Sequence, residues 1–385
     1  MDTFGGEDKV TYIRPRSRKQ IRRLIIIGII VLCVLLFDLF ISLVSEYIWM
    51  DTLGFAQVFI TIFSTRIILF AIGFLLFGGT LFITLLGIRR AFARMYIPDE
   101  LPFAFRFKKW FIVGSLLLSV LYGLLGSSAV QGLGWERFLT YQYQVPFQLS
   151  DPIFGQDISF YVYSLPFYQF VVNTLLSLVT VVLIIQGSVY GLSRLFWSDR
   201  GARLQLTVSI LLFGLLWGSR HILERYDTLF SDNLNIFQQK SVVFGASFTD
   251  TVITLPFGLI LAALSLLSAI GVAVGLARGS LRMMALGPIL YVLVFLVGQG
   301  ATWAVQQFLV APNEFEREKP YLEHNVTYTR AAYGLNEIRQ EEHPGQGQLT
   351  EDLVKNNRLT LDNVRINDYR HLLAFYNQRQ TVRTY

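Results

Sequence analysis

Five ionisable side chains crowd the end of one apolar stretch: Arg220, His221, Glu224, Arg225 and Asp227. On a helix, Arg220 and Glu224 stand at i, i+4, and His221 and Glu224 at i, i+3. One face could therefore hold an ion pair or supply two of the ligands a metal takes. Two ligands fall short of a metal site, so a salt-bridge cluster at a helix end is the plainer expectation.

Two charges interrupt other apolar stretches. Ionisable groups are costly in lipid, which makes function the first hypothesis for them. Asp38 lies ~21 Å along a helix from Leu24 at 1.5 Å per residue, and Arg66 starts the next stretch on the same side. An Asp38 to Arg66 pair is geometrically open, either as a structural pair or as part of a proton or ion relay. Gln299, Gln306 and Gln307 with Trp303 give the last apolar stretch a polar half, which either packs inside a bundle or lines a path. Other chemistry is missing from the sequence. There is no G-x-x-x-x-G-K-[ST], H-E-x-x-H, G-x-S-x-G or S-x-x-K, and the four histidines, His221, His324, His343 and His371, are far apart. No cofactor is implied.

The elements that must position these residues are seven apolar runs, at about 24–45, 59–88, 110–131, 167–196, 204–222, 251–277 and 283–310. Each is long enough for the ~20 helical residues that cross a hydrocarbon core. Composition agrees: 53% of the 385 residues are hydrophobic and 16% charged, against about 25% charged in soluble domains. The net charge of +6 comes from cations flanking the apolar runs, where lipid headgroups and insertion orientation account for them. The lipid bilayer is thus the expected partner, and nucleic acid is not. Cys33 is the single cysteine, which leaves no intrachain disulfide. The first run is too long for a signal peptide and runs on into Glu46-Tyr47-Ile48-Trp49-Met50 without a small-residue cleavage pattern, so it reads as a retained helix.

Basic residues alternate between connections. They fill the tail of residues 1–23 (Arg14, Arg16, Arg18, Lys19, Arg22, Arg23), the 89–109 connection (Arg89, Arg90, Arg94, Arg106, Lys108, Lys109), the 194–203 connection (Arg194, Arg200, Arg203) and the turn at Arg278 and Arg282. The intervening connections hold few: Arg137 in one, and Arg220, Arg225 and Lys240 in another. The positive-inside rule then puts the N-terminus in the cytoplasm and, after seven crossings of residues 24–310, the segment 311–385 outside it.

Small residues mark expected helix contacts. Gly271, Gly275 and Gly279 recur every fourth residue, as do Gly187 and Gly191, a spacing that lets neighbouring membrane helices approach closely. The connection 132–166 is dense in aromatic residues, from Trp135 and Tyr141 to Phe160 and Tyr163, which suits the membrane–water interface. Within it Asp151-Pro152 and Phe154-Gly155 are turn signals, and 157–164 could form a short strand. After Pro312, Asn313 is a good N-cap for a helix over 314–335. A polar stretch with Pro344, Gly345 and Gly347 follows, and 358–368 alternates Leu359, Leu361, Val364 and Ile366 with polar residues, predicting a strand.

Four segments carry a family resemblance: DPIFGQDISFYVYSLPF at 151–167, APNEFEREKPYLEHNVTYTRAAYGL at 311–335, LTLDNVRIND at 359–368 and WMDTLGFAQVF at 49–59. They resemble the bacterial multi-pass membrane proteins of uncharacterised protein family 0182. That resemblance implies seven helices followed by a larger extracytoplasmic region than the one present here, the family pattern continuing beyond Tyr385, and it implies no specific activity. The expected architecture is an all-α polytopic membrane bundle of about seven helices followed by a small α+β extracytoplasmic segment, in a bacterial plasma membrane. The expected function is a non-enzymatic envelope anchor presenting an outer segment to an envelope protein, lipid or wall component. A transporter or channel using Asp38, Arg66 and the polar half of the seventh helix is the alternative, and an envelope-acting enzyme with its site in the outer region is the second.

Overall fold

The computed structural model describes residues 18–94, 102–193, 195–230, 244–342, 345, 347–365 and 368–379. Of the residues used above, Arg14, Arg16, Arg194, Lys240, His343, Pro344 and Ile366 lie outside the described residues. So do the side chains of Arg18, Lys19, Arg22, Arg23, Arg106, Lys108 and Lys109.

The chain divides into two compact units, residues 1–325 and 326–385. In the first, helices α1 (Arg18–Thr52), α2 (Ala56–Arg94), α3 (Pro102–Gln142) and α4 (Leu165–Leu192) are followed by the short α5 (Leu195–Ser198). Then come α6 (Arg200–Asp227), α7 (Leu255–Arg278), α8 (Leu281–Ala304) and, up to Asn325, the first part of α9 (Glu314–Ala332). The main packing pairs are α2 with α3, α6 with α7 and α4, and α7 with α8.

Local chemistry sets the helix ends. Pro166 sits in the first turn of α4, where its missing N–H costs nothing. The Asp199 carboxylate caps α6 by accepting the Ala202 N–H at 2.7 Å. Between α7 and α8 the turn is made by Gly279, at φ 69°, which closes α7 in the left-handed region, and by Ser280, whose hydroxyl caps α8. A side chain at Gly279 would be strained there.

The core lies where α2, α4, α6 and α7 meet. One cluster joins Ile88, Ala91, Tyr190, Leu195, Ala202, Leu206 and Leu276, and a second joins Phe77, Val130, Leu178, Val179 and Val182. Within it Tyr190 donates to Gln205 Oε1 at 2.5 Å, and Gln205 Nε2 donates to the Thr84 carbonyl at 3.3 Å. Arg94 and Asp199 form an ion pair at 3.2 Å at this end of the bundle.

Among the described residues six stretches are long and apolar enough to cross a membrane: Ala56–Arg94, Trp110–Gly132, Phe160–Leu192, Arg200–Phe230, Asp250–Arg278 and Leu281–Ala332. Their outward faces carry exposed Leu, Ile, Val and Phe throughout. This is a lipid-facing pattern, since without water apolar surface need not be hidden from solvent. The expectation of about seven spans is corrected to these six. The first apolar run forms α1, whose side chains are described only in part.

The expected α+β segment is also corrected: the structure is helical, with no strand among the described residues. Residues Arg358–Asp362 form the short helix α11, between α10 (Glu351–Asn356) and α12 (Tyr369–Arg379). A lone alternating segment has no neighbour to complete its ladder. It closes its own hydrogen bonds instead, with Asn363 Nδ2 donating to the Leu359 carbonyl at 2.8 Å. At 157–164 the only pairing is a single bridge between Ser150 and Asp157, and Phe160–Ser164 makes a wide π turn that feeds α4. Nor does Asn313 open a fresh helix. Residues 305–313 continue α8 into α9 through a π turn and a 3₁₀ turn, so Leu281–Ala332 is one helical rod. The second unit is described by itself as short helices and turns with mostly exposed side chains. Its Lys355–Glu351 and Arg370–Asp368 ion pairs lie at the surface, where such pairs contribute little.

Candidate functional site

The cluster at the end of α6 separates into two faces. On one, Arg220 Nε donates to Glu224 Oε1 at 2.6 Å, and His221 Nδ1 lies 3.2 Å from Glu224 Oε2. The other imidazole nitrogen, Nε2, lies 2.7 Å from the Tyr291 hydroxyl of α8, which also accepts the Trp217 indole N–H at 2.8 Å. The chain assigns the proton positions. A carboxylate accepts from Nδ1–H, leaving Nε2 to accept the Tyr291 O–H while the phenol oxygen accepts from Trp217. The Arg220 guanidinium also lies 5.4 Å over the Trp217 ring. The result is a continuous relay from Arg220 through Glu224, His221 and Tyr291 to Trp217, linking α6 to α8.

A cavity of about 290 Å³ opens beside this relay between α6, α7 and α8, lined by Phe213, Gly214, Trp217, Ser268, Ala269 and Tyr291 among others. It is almost wholly apolar, with the relay's phenol at its wall. A carboxylate-oriented imidazole bonded to a hydroxyl can pass a proton in principle. With both imidazole nitrogens, the phenol and the indole N–H paired, it also clamps two helices. Tyr291 and Trp217 carried no signal in the sequence, because an aromatic residue in an apolar run reads as core.

On the other face, Arg225 turns away: its Nε donates to the Leu255 carbonyl at 3.1 Å and its guanidinium lies 5.7 Å over Phe154. Asp227 accepts both bonds from Gln169 Nε2, at 2.8 and 2.9 Å. Arg225 and Asp227 therefore brace neighbouring segments rather than completing a ligand set, and no three ligand-type side chains converge on a metal-sized site among the described residues.

Two aspartates order the aromatic connection. Asp151 accepts the backbone N–H groups of Ile153, Phe154 and Gln156 at 2.9, 2.6 and 2.8 Å, and the Tyr161 O–H at 2.7 Å. Asp157 accepts those of Phe147, Gln148 and Ser159 at 3.0, 2.8 and 2.8 Å. The Ser159 hydroxyl and these backbone donors hold the Asp157 carboxyl down at about 2. Tyr226 of α6 seats the loop, with ring centroids 4.7 Å from Phe154 and 5.0 Å from Phe160.

Arg66 lies with its guanidinium 4.6 Å from the Trp135 ring centroid. It makes no ion pair with Asp38, which is exposed on α1. Gln299 is half-buried, and Gln306 Oε1 accepts the Thr249 hydroxyl at 2.6 Å. A β-carbon at Gly187, Gly191 or Gly271 would meet open space, whereas one at Gly275 would press on Met284 at 2.7 Å. The tight α6–α7 seam is made by Gly214 and Gly218, where added carbons would meet Ala269 Cβ and, at 2.8 Å, the Ala262 carbonyl.

Comparison with known proteins places this helical chain among relatives that carry no named activity. A UPF0182 protein of Alkaliphilus metalliredigens is 32% identical over 368 residues, covering 89% of this chain and 38% of the relative. One of Methanospirillum hungatei is 32% identical, covering 91% and 40%, and one of Cupriavidus necator 35% identical, covering 89% and 38%. The chain thus spans about two fifths of the length of the curated relatives it matches. No solved structure matches. The profile of the family described as "Uncharacterised protein family (UPF0182)" matches residues 23–385, and the chain belongs to that family.

Proposed function

We propose that the chain is a multi-pass anchor of the cell membrane that carries the segment after Pro312 outside the cytoplasm, for contact with an envelope protein, lipid or wall component. The observation that carries this reading is the unbroken rod Leu281–Ala332, lipid-exposed and apolar through Val310 and polar from Asn313 onward.

Orientation follows from the basic connections. Six spans from α2 to the α8–α9 rod put the turn before α2 and the segment after α9 on the same side. The Arg-rich 89–109 and 194–203 connections lie on the other, which the positive-inside rule assigns to the cytoplasm. The test is cysteine labelling in intact cells, in a Cys33→Ser background. Thr350→Cys is expected to react with an impermeant maleimide, and Ser198→Cys only after permeabilisation; both positions are exposed. Protection of Thr350→Cys in intact cells would overturn the reading.

A second reading, proton movement through the bundle, has one observation in its favour: the continuous Glu224–His221–Tyr291 relay beside an apolar cavity. It predicts a vesicle proton flux that His221→Phe abolishes while the protein stays folded.

A further inference from the structure

Glu318 is the most deeply buried carboxylate among the described residues, with 0% of its surface exposed. It lies on α9, two turns past the apolar run that ends at Val310. Its Oε2 accepts the Phe248 backbone N–H at 3.0 Å, while Oε1 is inaccessible and has no hydrogen-bond partner. The segment 244–249, which leads into α7, is thereby docked on α9. Asn325 Nδ2 donates to the Phe244 carbonyl at 3.0 Å, the Thr249 hydroxyl bonds Gln306, and Thr251 bonds the Tyr321 hydroxyl.

Among the described residues, the charges around Glu318 do not neutralise it. Segment 244–249 contributes none, nor does the stretch 305–313. The π turn contributes Asp250, and α9 itself Glu314; both are like-signed and act on the Glu318 carboxyl. Asp250 is held by the Ser247 N–H and hydroxyl at 3.1 and 2.9 Å. Of the two cations adjacent in sequence, Arg317 lies 5.3 Å over the Phe248 ring and Lys319 is exposed, and Glu318 is in no ion pair among the described residues. A buried, ionised carboxylate with a single N–H donor and no counter-charge among the described residues is strongly disfavoured against its neutral acid.

We propose that Glu318 is a proton-binding site: it is a carboxylic acid while segment 244–249 is docked, and its ionisation releases the segment from α9. Released, the side chain meets water and ionises at its ordinary value of about 4.3. The docked state then binds one proton more than the released state. Docking is favoured at low pH, and its equilibrium constant falls by about tenfold per pH unit above that value until the docked acid itself titrates. A proton on one residue thereby sets how firmly the root of α9 is held by the approach to α7.

The experiment is hydrogen exchange at the Phe248 amide in the full 385-residue chain in lipid nanodiscs, corrected for intrinsic rate, alongside infrared difference spectra. In the native sequence the opening constant is expected to rise by about tenfold per pH unit over part of the range from pH 5 to 8. Glu318→Gln, which keeps the acceptor but cannot ionise, is expected to give a flat profile and to lose a protonated-carboxyl stretch seen at pH 6. A flat profile in the native sequence overturns the proposal even if the variant fails to fold, as does a slope that Glu318→Gln leaves unchanged or a native spectrum without the protonated band.

Discussion

The Tyr291 hydroxyl lies 2.7 Å from His221 Nε2, so a single phenol ties α8 to the charged face of α6. Glu224 bonds the other nitrogen of the histidine and Trp217 donates to the phenol, so the histidine has no spare nitrogen for a ligand.

Tyr291→Phe removes that oxygen and leaves both the Trp217 N–H and His221 Nε2 unpaired. Hydrogen bonds between membrane helices contribute about 0.6 kcal/mol on average and up to about 2. The variant is expected to lose about 1–3 kcal/mol, read as a shifted unfolding midpoint in mild detergent. Trp217→Phe removes one bond and is expected to lose less. Equal stability of Tyr291→Phe and the native chain would mean that the relay does not clamp the helices.

The order of the 147–161 loop depends on two carboxylates. Asp157 is depressed from 3.8 to about 2 by the Ser159 hydroxyl and backbone donors. Its contribution is therefore fully present above the ordinary carboxylate value and is lost as pH falls from about 4 through about 2. Protease resistance of the loop should fall over that window, and Asp157→Asn should show reduced resistance at pH 7 with a flatter acid profile. A loop equally resistant at pH 2 and 7 would contradict the assignment. Asp151→Ala, which strips acceptors from four donors, is expected to disorder the loop at every pH.

Helix seams offer a sharper contrast. Gly218 faces the Ala262 carbonyl at 2.8 Å for an added β-carbon, and Gly187 faces open space. Gly218→Val is expected to destabilise by about 1–3 kcal/mol through overpacking. Gly187→Ala should be neutral or stabilising by up to about 1 kcal/mol, because alanine restricts the unfolded chain. Thermal unfolding of the two variants side by side checks this, and equal loss at both sites would contradict the seam.

The pattern of apolar runs carried most of the fold, since hydrophobic length alone marks a membrane helix. It carried less of the seams. Gly271, Gly275 and Gly279 share the four-residue spacing, yet Gly271 faces open space and Gly279 makes a turn. Spacing places glycines on one face without saying whether a neighbour lies there. Likewise Arg220, His221 and Glu224 were visible as a local cluster, whereas Tyr291, 70 residues from His221, joins it only through the packing of α8 on α6. The strand expected at 358–368 failed for a related reason: alternation signals a strand only where another strand can pair with it.

Arg66 and Asp38 separate two ways of keeping a charge in a membrane protein. Arg66 has its buried Nε without a hydrogen-bond partner and its guanidinium 4.6 Å from the Trp135 ring centroid. A desolvated cation–π contact contributes about 2 kcal/mol, and here the aromatic face takes the place of a carboxylate. Trp135→Leu is therefore expected to destabilise the chain by about 2 kcal/mol, with Trp135→Phe recovering part of the loss because its ring is a weaker partner. Asp38 is exposed on α1 and unpaired with Arg66, so Asp38→Asn is expected to stay within about 0.5 kcal/mol of the native chain. The double variant Trp135→Leu with Asp38→Asn should show additive losses. Coupling above about 0.5 kcal/mol would mean that Asp38 reaches Arg66 after all, and would return the pair to the proton-relay reading.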